Sequence, residues 1–117
     1  MARINYVELP ATDIAASRTF YGKAFGWTFT NFGPAYSASL GGAGGGDVDV
    51  GLQGDAGEAP KAPLPVIAVD DLEAALEAVS SAGGRISRPI FSFPGGRRFE
   101  FADPSGNVIA VAHTDGH

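Results

Sequence analysis

The chain of 117 residues has no cysteine, one methionine, one tryptophan and two histidines. Without cysteine there is no disulfide framework, no thiolate zinc site and no cysteine nucleophile. Basic residues are also sparse. Eight of them face thirteen acidic residues, for a net charge of −5, and only Arg97-Arg98 forms an adjacent basic pair. With no basic stripe to follow a phosphate backbone, nucleic acid is not an expected partner. The acidic balance suits a cationic or neutral small molecule better. No apolar run reaches membrane-spanning length, and "MARINYVELP" lacks an apolar signal core, so the chain is expected in the cytoplasm and away from membranes. What is present is enough for a core: 44% of residues are hydrophobic and only 18% charged, in a chain sized for a single domain spanning residues 1–117.

The pattern along the chain occurs twice. "INYVELP" at 4–10 alternates like a half-buried strand, "TD" at 12–13 offers a helix cap, and Ile14, Tyr21 and Phe25 follow helical spacing up to Gly26. "WTFTNF", "AYSASL" and "DVDVGLQ" then supply strands. The second half repeats the order. "PVIAV" at 65–69 is a strand, Asp70 with Glu73 suggests a capping box, and Leu72, Ala75, Leu76 and Val79 form a helical stripe before Gly83-Gly84. "RISRPIFSF", "RRFEFA" and "NVIAV" follow as strands. An offset of 58 pairs Asp13 with Asp71, Ile14 with Leu72 and Gly26 with Gly84. The expectation is an α+β fold of two βαβββ modules, about 4–53 and 64–113, joined by a Gly/Ala/Pro linker at 54–63. They would form a curved mixed sheet around an open cleft, with the helices outside.

Three stretches in this order, "VELPATDIAASRTFYGKAFGW", "VIAVDDLEAALEAVSSAGG" and "FADPSGNVIAV", resemble the vicinal oxygen chelate superfamily of glyoxalases, bleomycin-resistance proteins and extradiol dioxygenases. The likeness runs over roughly residues 4–113 and is carried mainly by FY-x-x-x-FGW and DP-x-GN. It implies a metal held by residues on the first and last strands of each module. Counting back from Asp13 puts the first such position on Tyr6, and the same step from Asp71 puts its counterpart on Leu64. The last-strand position in the second half is Ala110. Its counterpart on "DVDVGLQ" falls on Leu52 or Val50, on Gly51 after a shift of one, or on Asp49 at a further register. On that count the family's ligands are missing, and no metal or other cofactor is expected.

Strand parity then nominates other residues. Tyr6 and Glu8 on the first strand and Arg98 and Glu100 on the penultimate one should face the cleft, joined by Asp49, Gln53, Ser37 and Ser39 at less certain parity. Leu64, Val66, Ala68 and Ala110 would make an apolar floor. Glu8 is a candidate general base, or else an ion-pair partner of Arg98 holding the two half-sheets together. Arg97 is placed to swing over the cleft mouth. Phe20, Tyr21, Ala24, Phe25 and Trp27 are assigned to the helix-to-sheet core, His113 to a strand end, and "GGAGGGD" to a hairpin loop and not a phosphate cradle. The favoured function is metal-independent binding of a small molecule by a homodimer. The alternatives are a lyase or isomerase acting on a carbonyl substrate with Glu8 as base, and a purely structural or interaction domain.

Overall fold

The computed structural model describes residues 2–40 and 46–114. The glycine-rich loop at 41–45 and His117 lie outside the described residues. The elements run β1 (Arg3–Pro10), α1 (Ile14–Phe25), β2 (Thr30–Asn31), β3 (Tyr36–Ser39), β4 (Asp49–Gln53), β5 (Leu64–Ala68), α2 (Leu72–Ser81), β6 (Arg85–Phe93), β7 (Gly96–Ala102) and β8 (Val108–Thr114). This is the α+β, twice-repeated βαβββ order that the sequence predicts. It divides into two compact units, one covering Asn5–Leu64 and the other the chain from Pro65 onward with the first residues of β1.

In the first module the strands lie in the order β2-β3-β4-β1. β1 and β4 are parallel, with Tyr6 opposite Asp49 and Glu8 opposite Gly51. β3 is antiparallel to β4, with Tyr36 opposite Gln53 and Ala38 opposite Gly51. The expected strand at 27–32 shrinks to the two residues of β2. Helix α1 begins where Asp13 accepts a hydrogen bond from the Ala16 amide, and it ends at Gly26, whose φ of 74° suits a left-handed cap.

The aromatic residues of α1 do not form a buried core. No residue of the helix is buried, and Phe20 and Phe25 are 59% and 62% exposed. The half-buried stripe is Ile14, Ser17, Arg18, Tyr21 and Gly22, spaced at i, i+3, i+4, i+7 and i+8. Phe20 and Phe25 fall outside that stripe. They join Tyr21 and Trp27 in a surface cluster in which the Tyr21 and Trp27 rings stack 5.2 Å apart at 11°.

In the second module the order is β5-β8-β7-β6. Leu72, Phe99 and Val111 are fully buried, with Ile67, Leu76, Val79, Ile86 and Phe101 packed around them beneath α2. The capping residue of α2 is Asp71, not Asp70: its carboxylate accepts from the Ala74 amide at 3.0 Å. Glu73 instead holds Arg97 in a two-pronged pair, with Nη1–Oε2 at 2.7 Å and Nη2–Oε1 at 3.1 Å. Those bonds hold the Glu73 carboxyl below its usual range. Arg97 is therefore tied to the α2 side of the sheet and is not poised over the opposite face as expected. Opposite Arg97 on β8, His113 bonds through Nδ1 to the Val69 carbonyl at 3.0 Å, a structural role at the strand end.

The "DPSGN" stretch is a self-contained turn. Asp103 Oδ1 accepts from the amides of Ser105 and Asn107, Oδ2 accepts from the Asn107 side chain, and Gly106 takes a φ of 87°. The motif thus sets the β7–β8 turn. Replacing Phe99 by Ala, at 0% exposure, is expected to cost about 3–5 kcal/mol of stability, read from the urea midpoint at unchanged slope.

Candidate functional site

Alternation fixes which side chains face away from each helix. In the first module Arg18 of α1 donates from Nη1 to Ser37 Oγ at 3.2 Å, and Ser37 donates to Asn31 Oδ1 at 2.6 Å. Ser37 is fully buried and marks the helix side of the sheet, so Ser37 and Ser39 lie there and not on the expected face. The opposite face carries Tyr6 and Glu8 from β1, Asp49, Gly51 and Gln53 from β4, and Tyr36 from β3. Tyr6, Glu8, Asp49 and Gln53 are therefore on one face, as parity predicts. Gln53 accepts from the Asp55 amide at 3.0 Å, which turns its side chain toward the strand end.

At the centre of this face the hydroxyls of Tyr6 and Tyr36 hydrogen-bond to each other. Both lie where a Cβ on residue 51 would project, so only glycine lets the two phenols meet over β4. Tyr36 was not singled out from the sequence. Its signal, visible only once register is known, is a position diagonal to Tyr6 across a strand that carries glycine between them. The Tyr6 hydroxyl is pushed far above its ordinary value of 10.0, first by burial, then by Tyr36, and then by the charges of Glu8 and Asp49. Tyr6 therefore stays a protonated hydrogen-bond donor. Glu8 is only 4% exposed.

In the second module β7 pairs with β8 so that Arg98 lies opposite Ala112 and Glu100 opposite Ala110, on the face away from Phe99. Val66 of β5 is opposite Ala110 and shares that face. Leu64, Val66 and Ala110, expected as the floor of an open cleft, are all nearly fully buried, at 3%, 5% and 0% exposed. The polar groups are only partly buried. Arg98 donates from Nη2 to Glu100 Oε2 at 3.3 Å, and Arg88 of β6 approaches the same oxygen at 4.0 Å. Arg88, Phe91 and Phe93 were missed in the sequence. The register of β6 against β7 slips between Ile86 and Arg88 and again between Arg88 and Phe91, so simple alternation fails there. Pro89, within that slipped stretch, was the available warning.

The paired registers align the two modules at the fourth position that the family resemblance left open. Glu8 is opposite Gly51 in the first module, and Val66, its counterpart 58 residues on, is opposite Ala110 in the second. Gly51 is thus the internal equivalent of Ala110. On that alignment the four positions implied by the resemblance carry Tyr6, Leu64, Gly51 and Ala110, a donor set that does not fit a divalent metal. Among the described residues no group of three or more His, Cys, Asp or Glu side chains is placed to hold a metal ion.

Comparison with known proteins agrees with this architecture. Residues 3–111 match the family model of the Glyoxalase/Bleomycin resistance protein/Dioxygenase superfamily, and the chain belongs to that superfamily. It is 30% identical over 127 residues to CFP32 of Mycobacterium tuberculosis, a protein named for a glyoxylase, covering 97% of this chain and 46% of that one. The chain thus spans about half the length of that relative. A glyoxylase-like domain-containing protein of Didymella fabae is 34% identical over 122 residues, covering 97% of this chain and 95% of its own. The crystal structure of methylmalonyl-CoA epimerase from Mycobacterium tuberculosis superposes with a TM-score of 0.74 at 15% identity, over 95% of this chain and 87% of that one.

The Tyr6 shift has a defined sign. Its folded-state pKa lies above its unfolded value, so the protonated hydroxyl contributes stability in full below pH 10.0, and that contribution is lost as the pH rises beyond it. Urea unfolding followed across the alkaline range should show this loss in the wild type and a flatter profile in Tyr6→Phe. Gly51→Ala should destabilise more than Tyr6→Phe does, because it displaces both phenols, by about 1–3 kcal/mol.

Proposed function

We propose that this chain is a metal-independent small-molecule binding protein on the glyoxalase and bleomycin-resistance scaffold. The observation that carries this reading is the set of residues at the family's metal positions: a tyrosine, a leucine, a glycine and an alanine, at Tyr6, Leu64, Gly51 and Ala110. The Tyr6–Tyr36 hydroxyl pair, lying where a Cβ on residue 51 would project, supports this reading in the first module. These phenols offer a ligand a protonated donor beside two carboxylates, Glu8 and Asp49. Tyr6, Asp49 and Gln53 are partly accessible, as are Arg98 and Glu100 on the corresponding face of the second module, whereas Leu64 and Ala110 supply buried apolar support. The same reading takes the protein as a homodimer, and sedimentation velocity is expected to give twice the mass of one chain.

A second reading rests on Glu8. A nearly fully buried carboxylate on the same face as a hydroxyl pair is the arrangement of a base beside an oxyanion donor. Glu8 would take a proton from carbon next to a substrate carbonyl while the Tyr6 hydroxyl stabilises the oxygen. Epimerase chemistry is what one of the structural relatives is named for.

The deciding experiment is calorimetric unfolding of chelator-treated protein with and without Mn, Ni, Zn and Mg. A ligand that binds only the folded state raises the midpoint. No shift with any of the four metals is the expected result. A saturable shift with one of them would overturn the metal-independent reading and return attention to the family's metal chemistry.

A further inference from the structure

Arg18 of α1 is half-buried, and its Nη1 donates to Ser37 Oγ at 3.2 Å. Among the described residues it has no other hydrogen-bond or ion-pair partner. A guanidinium carries five N–H donors, and an arginine withdrawn from water is ordinarily matched by an acid. The other Arg18 nitrogens are open to solvent, since none of them is buried without a partner. Ser37 is 0% exposed and donates its own proton to Asn31 Oδ1 at 2.6 Å. Asn31 ends β2 and is exposed, and with Oδ1 taken as acceptor its side-chain NH2 keeps two donors. One buried oxygen thus fixes a cationic fork and an amide side by side.

The charge pattern of the chain favours the same place. From Ile14 to Gly46, a stretch that includes α1, β2 and β3, there is no aspartate or glutamate. Arg18 and Lys23 are its only charged side chains, and all thirteen acidic residues lie outside it. In a chain of net charge −5 this is the segment in which an anion meets no acidic neighbour along the sequence.

We propose that Arg18 and Asn31, held by Ser37, bind the carboxylate of a small molecule on the helix side of the first module. The guanidinium fork matches the two oxygens of a carboxylate, and the Asn31 amide adds a further donor. A monoanion balances the single guanidinium charge, whereas a phosphate dianion leaves negative charge uncompensated in a partly buried site. The site lies across the sheet from Tyr6 and does not depend on the reading of that face. Its occupation has a structural consequence. No residue of α1 is buried, and Arg18 is the side chain that hydrogen-bonds the helix to β3, so a carboxylate seated there tightens the attachment of α1.

The test is an NMR titration of the full chain with sodium acetate at constant ionic strength, following arginine Nε–H and asparagine side-chain signals. The Arg18 Nε–H and Asn31 NH2 signals are expected to shift to saturation, while that of the exposed Arg3 drifts without saturating. Arg18→Lys keeps the charge but loses the fork, and should weaken acetate several-fold, read from the backbone amides of α1 and β3. Asn31→Asp places a carboxylate beside Arg18 and should abolish acetate saturation. This variant still accepts the Ser37 hydrogen bond, so it decides the matter if Arg18→Lys does not fold. The inference is overturned if Arg18 fails to saturate, if Arg3 responds in the same way, or if Asn31→Asp binds acetate as the wild type does. Inorganic phosphate, titrated in parallel, is expected to bind more weakly than acetate, and tighter binding of phosphate would overturn the assignment to a carboxylate.

Discussion

One helix can cover only one face of four strands, and the rest of the structure depends on that arithmetic. Each module devotes one set of alternating side chains to its helix: Ser37, Val50 and Leu52 beneath α1, and Phe99, Phe101 and Val111 beneath α2. The other set is released from packing against a helix, and it is there that tyrosines, carboxylates and arginines accumulate. The two modules meet the constraint unequally. α2 seats a buried leucine on a phenylalanine and valine core, whereas α1 packs with a polar stripe and is fastened through Arg18 to a buried serine.

The opposite faces are chemically distinct. In the first module two phenol hydroxyls hydrogen-bond to each other over a glycine, with Glu8 and Asp49 nearby, a donor set in acidic surroundings. In the second, two guanidiniums share a carboxylate over a phenylalanine ring. A scaffold built by repeating one unit thus carries, on the face away from each helix, an acidic, tyrosine-bearing set in one copy and a cationic, phenylalanine-bearing set in the other. The chain's net charge of −5 averages over this difference.

How much of this was legible in the sequence follows from the range of the interaction involved. The repeat, both helix caps to within one residue and the parity of β1, β7 and β8 came from short-range spacing, because a period of two or 3.6 residues is written locally. Tyr36 and the Gly51 position were not legible, since the pairing of β3 and β4 is set across the sheet and not along the chain. Arg88 and Phe91 were hidden by register slips around Pro89, where counting by twos gives the wrong face. The aromatic residues of α1 misled for another reason. Phe20 and Phe25 have hydrophobic composition but the wrong helical phase, and phase decides burial.

The surface stack of Tyr21 and Trp27 has a consequence for optical spectroscopy. The only tryptophan and all three tyrosines, Tyr6, Tyr21 and Tyr36, belong to the first module, and the second has only phenylalanine rings. Fluorescence and near-ultraviolet dichroism read in the tyrosine and tryptophan bands therefore report on one half of the molecule. A melting curve followed by either signal tracks the Tyr6–Tyr36 pair and the α1 stack, and is blind to loss of the Phe99 core. Agreement between that curve and backbone dichroism, or its failure, measures whether the repeated unit has kept its two copies folding as one.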